Sequence, residues 1–175
     1  MRSSLLAVLA CLVALAGCGG GSTGDAPGNG TDRAFAAAMV PHHEAAVAMA
    51  RIGVQRGESP FVRQLAADMV RTQQTEIATL REQDAALARA GVRRSTLTVA
   101  DDDMGMAMDV DALRRAQPFD PAFLRMMIPH HEGALAMAKA EIAQGRDPEL
   151  KRLAERVLAG QSGEIRAMRG RLPEY

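Results

Sequence analysis

Apolar positions in the stretch 62–87 recur with a helical period. Val62, Leu65, Met69, Ile77, Leu80 and Leu87 are spaced by three, four, seven or eight residues, with Arg, Gln, Glu and Thr between them. No segment alternates apolar and polar residues with period two, and β-branched residues are sparse, so the pattern predicts an all-α chain. Alanine-rich helical sequence starts at Asp32 and runs to about Gln55, and again starts at Asp120 and runs to about Gln144. Asp32 and Asp120 are predicted N-caps, whose short carboxylates would accept from orphan amides of the first turn. Gly57 and Gly145 fit positions just past a helix end, and Pro60 and Pro148 fit the first turn of a following helix. Those second helices are predicted to run to about Ala90 and Arg169.

The two halves are one unit written twice. An offset of 88 aligns Asp32–Leu80 with Asp120–Met168 without a gap, and 19 of the 49 pairs are identical. Phe35 matches Phe123, Gly57 matches Gly145, Pro60 matches Pro148, and Gln73, Glu76 and Ile77 match Gln161, Glu164 and Ile165. Each unit, 32–90 and 120–170, reads as a helical hairpin, and two such hairpins pack most economically as a four-helix bundle. Between them, 91–119 starts with a helix stop and continues as an irregular stretch rich in Met and Asp, with a short helix expected over Asp109–Ala116. A connection this long exceeds the usual bundle loop and suits a ferritin-like crossover. The expected domain spans 32–172.

The strongest repeat holds all the histidines. "MVPHHEAAVAMA" occupies 39–50 and "MIPHHEGALAMA" occupies 127–138. On a helix, Met39, His42, His43 and Met49 share one face roughly 120° wide, and Glu44 turns away. Met127, His130, His131 and Met137 repeat the arrangement, with Glu132 turned away. Pro41 and Pro129 stand just before each pair. Either they kink a continuous helix or each begins a new one. On the second helix of each hairpin, Gln73 and Glu76, like Gln161 and Glu164, fall on the apolar face. An inward carboxylate needs a partner, and a histidine of the neighbouring helix is the obvious one. Glu76 and Glu164 are therefore candidate orienting groups or direct ligands.

Composition sharpens this chemistry. Met1 aside, 10 methionines remain, none of them before residue 32. At helical spacing they would fill core gaps as readily as bind metal. Met104, Met106 and Met108 differ: they alternate beside three aspartates with no helical core period, which leaves a plain loop or a metal-capture loop. Thioether and imidazole without thiolate suit copper, above all Cu(I), or the similar Ag(I). Zinc would call for more cysteine or carboxylate. The Glu-x-x-His element of di-iron bundles is missing, because Met39 and Val40 stand three residues before His42 and His43.

The N-terminus gives an address. Arg2 and the apolar run Leu5–Ala16 read as an export signal, too short for a permanent span. Leu15-Ala16-Gly17-Cys18 looks like a bacterial lipoprotein box, so 1–17 is expected to be removed and Cys18 to carry lipid, with 18–31 as a flexible tether. The expected location is the cell envelope, anchored to the membrane through Cys18. Cys11 would leave with the signal, so thiolate sites and disulfides are not expected in the mature domain. With 21 basic and 21 acidic residues, no basic patch and no tryptophan, nucleic acid is not an expected partner.

At "FDPAFLRMMIPHHEGALAMA", with "QSGEIRAM" near the end, the chain resembles the secreted proteins of the domain of unknown function 305 family. These contain ferritin-like helical bundles and include CopM-like periplasmic copper-binding proteins. The resemblance covers 32–170 and implies the helical fold and copper or silver handling. Carried over by position, it implies a ligand set of Met39, His42, His43, Met49, Met127, His130, His131 and Met137. Met126 has no counterpart in the first unit, so the two halves need not bind alike. The leading expectation is an envelope lipoprotein, not an enzyme, that sequesters Cu(I) or Ag(I) or passes it to a copper-handling protein partner. A non-metal helical interaction or pH-sensing module, and an oxidase-like di-metal relative of ferritin, are the alternatives.

Overall fold

The computed structural model describes residues 27–175. The expected export signal, Cys18 with its expected lipid, and most of the expected tether lie outside the described residues. Five α-helices and two short 3-10 turns make up the described part, with no strand: α1 (Gly30–Arg56), α2 (Pro60–Arg89), α3 (Val110–Arg115), α4 (Phe119–Gln144) and α5 (Pro148–Arg171). The 3-10 turns cover Asp101–Met104 and Leu172–Glu174. The long helices α1, α2, α4 and α5 form the bundle expected from the repeat, and α3 lies where a short helix was predicted. No described helix is long and apolar enough to cross a membrane.

α1 packs on both α2 and α4, and α4 on both α5 and α1, while α2 and α5 meet less. The sequence explains the difference. α1 and α4 bury small and apolar residues round much of their circumference, such as Ala34, Ala36, Ala46 and Ala50 on α1. α2 and α5 bury a single stripe, as surface helices do. α1 and α4 run antiparallel: Phe35 and Met39 share a core cluster with Ala134 and Met137. Met49 and Ala50 share the second cluster with Phe123 and Met127.

Helix starts correct one expectation. Asp32 and Asp120 do not cap their own helices. Asn29 caps α1, accepting from the amides of Thr31 (2.9 Å) and Asp32 (3.2 Å), and Asp32 answers as the third residue of a capping box. Pro118 precedes α4 without a side-chain cap. The chain thus enters α1 at Gly30, two residues before the predicted start. The two aspartates, both fully buried, bond instead across the hairpins. Asp120 Oδ1 and Oδ2 accept from the amides of Glu58 and Ser59, each at 2.8 Å, in the α1–α2 turn. Asp32 Oδ1 accepts from Arg146 and Asp147, each at 2.9 Å, in the α4–α5 turn. Each hairpin therefore fastens the turn of the other.

Other terminal signals hold with small adjustments. Pro60 and Pro148 open α2 and α5 behind Ser59 and Asp147, which cap them. Gly57 and Gly145 are the C-caps themselves, not the next residue, and have negative φ (−51° and −66°) in place of the left-handed turn. Glycine is needed at 145 for space: a Cβ there would lie 2.1 Å from Glu141 Oε1.

Candidate metal centre

The two phrases "PHHE" sit midway along α1 and α4. Both helices continue through Pro41 and Pro129, so proline interrupts neither. The alternative of separate short helices is set aside. The prolines are exposed, and the residues just after them turn inward. His42, His43 and His131 are 0% exposed and His130 1%. Met39, Met49, Met127 and Met137 are all 0% exposed. Glu44 and Glu132 point outward, as the helical spacing predicts, and pair with Arg81 and Arg169.

The histidines divide the core. One apolar cluster holds Met39 and Met137, the other Met49 and Met127. Between them lies a polar layer of the four histidines with Gln73 of α2 and Gln161 of α5, also buried. Between the two repeat units, the rings of His42 and His130 meet at a tilt of 36° with centroids 3.7 Å apart. His42 Nε2 bonds the backbone carbonyl of His130 at 3.0 Å. His43 and His131 point outward to the flanking helices. His43 Nε2 meets Glu76 Oε2 at 2.8 Å, and His131 Nε2 meets Glu164 Oε2 at 2.6 Å. The pairing expected from the inward carboxylates is thus present twice.

The geometry dictates tautomers. A carboxylate against Nε2 holds the proton there, and so leaves the lone pair on Nδ1. Nδ1 of His42, His43 and His131 and both ring nitrogens of His130 are buried without a hydrogen-bond partner. Gln73 Oε1 and both amide atoms of Gln161 are likewise unpartnered. Each such atom costs about 1–3 kcal/mol. Burial, then the nearby His43 and His131, pull His42 down to about 3. Burial, then His42, His131 and His43, pull His130 down to about 2. Both rings are neutral at ordinary pH, which is the form that coordinates metal.

Among the described residues, no group of three or more His, Cys, Asp or Glu side chains is placed to hold a metal ion. The four imidazoles do not close into a cage by themselves. The donors left are neutral imidazole nitrogens and buried thioethers, a soft set that fits Cu(I) or Ag(I) and not a carboxylate-rich zinc or di-iron centre.

The crossover methionines divide. Met104 is partly buried against the cluster of Met39 and Met137, and Met108 against that of Met49 and Met127. Met106 is 42% exposed. The sequence leaves a plain loop or a metal-capture loop here, and packing of the crossover takes two of the three thioethers out of full exposure.

Sequence reasoning missed Glu141. It is fully buried, and burial, then a hydrogen bond with Asp32 and the charges of Asp32 and Asp147, push it up to about 9. The signal was available: Ala134, Met137, Ala138 and Glu141 follow helical spacing on the buried face, and the repeat has Gly53 at this position.

The architecture defines a duplicated four-helix bundle with a histidine layer between two methionine-bearing cores. The sequence profile described as "Domain of unknown function (DUF305)" matches residues 22–84 and 88–172, and the chain belongs to that family. CopM in its Cu(I)-bound form is 34% identical, with a TM-score of 0.68, over 79% of this chain and 93% of that one. CopM has also been solved in Ag-bound and Cu(II)-bound forms. A DUF305 protein of Streptomyces coelicolor, described as secreted, is 29% identical with a TM-score of 0.70, over 82% of this chain and 93% of that one. Among curated proteins, protein L153 of Acanthamoeba polyphaga mimivirus is 39% identical over 62 residues, so this chain spans only 41% of that relative's length.

Proposed function

We propose that this protein is an exported metal-binding protein that takes up Cu(I) or Ag(I) in the histidine layer, for sequestration or for transfer to a copper-handling partner. One observation carries the reading: five imidazole nitrogens are buried and unpartnered in a layer flanked by four buried methionines. A soft cation would relieve that cost. The copper- and silver-bound forms of CopM, similar over most of this chain, support the same cargo. His42, His43, His130 and His131 would supply nitrogen, and Met39, Met49, Met127 and Met137 sulfur. Glu76 and Glu164 would orient His43 and His131, with Gln73 and Gln161 beside them. Met104, Met106 and Met108 would form the outer, capturing part of the path. Membrane attachment through lipid on Cys18 completes the reading. Burial holds His42 and His130 neutral far below pH 6.5, so these two rings do not favour a titration switch near that value.

Thermal unfolding under anaerobic Cu(I) or Ag(I) tests the proposal. At a free metal concentration one hundred times Kd, linkage gives about 2.7 kcal/mol, on the order of 10 °C for a domain of this size. Replacement of all four histidines is expected to abolish the shift. No shift in the unaltered protein with either ion would overturn the proposal.

A further inference from the structure

Inside its most similar phrase the repeat differs at three positions; two exchange aliphatic residues (Val40 for Ile128, Val47 for Leu135), and at the third Ala45 of the first unit stands where the second has Gly133. A Cβ on Gly133 would lie 2.1 Å from the carbonyl oxygen of Met104 and 2.7 Å from the amide nitrogen of Gly105. The backbone of the crossover therefore rests directly on α4 at this residue. Gly105 makes the complementary approach. Its φ is +69°, and a Cβ on it would lie 2.5 Å from the Pro129 carbonyl oxygen and 3.0 Å from His130 Cα. Two glycines, one on each side, bring the crossover onto the helical turn that carries His130 and His131. In the first unit Ala45 keeps its methyl group at the matching position.

The seat also sets where the methionines go. Met104 and Met108, on either side of Gly105 and Met106, reach the two core clusters that flank the histidine layer. Beside the seat a groove of about 680 Å³ opens between the crossover and α4. Asp102, Asp103 and Glu132 line it together with Gly105 and Gly133, and Lys139 is its basic residue. Carboxylates at such a mouth raise the local concentration of cations.

We infer that residues 101–108 are a docked lid over the second unit's histidine turn, that Gly133 and Gly105 are the seat that closes it, and that a soft cation enters and leaves by lifting it. The inference rests on the proposed metal binding, and it concerns the route and rate of exchange. Lids of this kind open locally at a cost well below global unfolding. The docked lid retards uptake and release together, which suits a protein that must retain its cargo. The strength of binding comes from the buried donors, which the seat residues Gly133 and Gly105 do not include.

The test uses the full soluble domain, Cu(I) as the probe and an excess of bathocuproine as the competing chelator. Gly133→Ala is expected to unseat the lid. Proteolytic cutting within 101–108 should accelerate, and both Cu(I) uptake and Cu(I) loss should quicken by about tenfold or more. Thermal unfolding of the metal-free bundle should change little. Gly105→Ala strains the same seat from the other side and should act alike, so it carries the test if Gly133→Ala does not fold. Faster cutting with unchanged Cu(I) exchange would overturn the lid. Unchanged cutting would overturn the seat. A wild-type protein that takes up no Cu(I) would instead overturn the metal reading itself, so the two failures are distinguishable.

Discussion

Single side chains here are held in protonation states that water would not allow, and Glu141 is the clearest. Its own burial, Asp32 of α1 and Asp147, the cap of α5, all oppose its charge, and Lys151 offsets them only in part. Its folded value, about 9, lies above the ordinary 4.5, so the native state binds a proton that the unfolded chain has released. Stability from this group is therefore full below about pH 4.5 and is lost as pH rises through about 9. Glu141→Gln keeps the shape and removes the titration. The expected result is a gain in melting temperature between pH 7 and 9 and a flatter stability profile, read by thermal unfolding at a series of pH values. An unchanged slope would show that the proton sits elsewhere. Glu76 and Glu164 make a second residue-scale case. With the carboxylate gone, His43 Nδ1 no longer has its lone pair fixed toward the layer. Glu76→Ala together with Glu164→Ala should weaken Cu(I) binding by about 10- to 100-fold while the bundle stays folded. Equal affinity in a competition titration would remove both carboxylates from the site.

At the scale of elements, the hairpins hold one another by their turns. Asp120 accepts two amides of the α1–α2 turn at 2.8 Å and is touched by the Tyr175 hydroxyl at 3.1 Å. Asp120→Ala leaves those partly buried amides without their partner, at up to about 1–3 kcal/mol for each group, and a fall in melting temperature of several degrees is expected. A change within about half a kcal/mol, as at an ordinary surface site, would contradict the strap. This contact also marks where sequence reading stops. Helix extents, the hairpins and the inward face of "PHHE" follow from period and spacing, because those are local. The His43–Glu76 and His131–Glu164 pairs were also legible, since two inward faces of one hairpin can only meet each other. Asp32 and Asp120 looked like N-caps because an aspartate opening a helical run is usually one. Their true partners lie 114 and 62 residues away, a relation set by how two hairpins dock. The Gly133 seat stayed hidden for the same reason: a small residue on an outer face signals nothing until the crossover lies on it. Glu141 was legible in its spacing but had no repeat partner to draw attention to it.

Over the whole molecule, the histidine layer interrupts what would otherwise be one continuous apolar core. A bundle selected for stability alone would fill the layer with leucine, since a polar group buried without a partner lowers stability. The tilted rings of His42 and His130 meet at its centre, and three of their four ring nitrogens have no partner. Two readings of the layer make opposite predictions about removing them. If these rings only specify packing, then replacing both by leucine destroys a fitted contact, and the metal-free protein loses stability. If the layer is kept for a cation, the substitution exchanges unsatisfied nitrogens for apolar carbon of similar bulk. His42→Leu together with His130→Leu should then raise the metal-free melting temperature, by about 2–4 °C for each kcal/mol recovered. The same variant should lose most of the stabilisation by Cu(I) that the unaltered protein displays. The two measurements must move in opposite directions, up without metal and down with it. A double variant that melts lower without metal would assign the histidines to the architecture of the bundle and not to its cargo. The replacement has to be made at both positions, because one leucine alone would leave the opposite ring facing carbon with its nitrogens still unpaired.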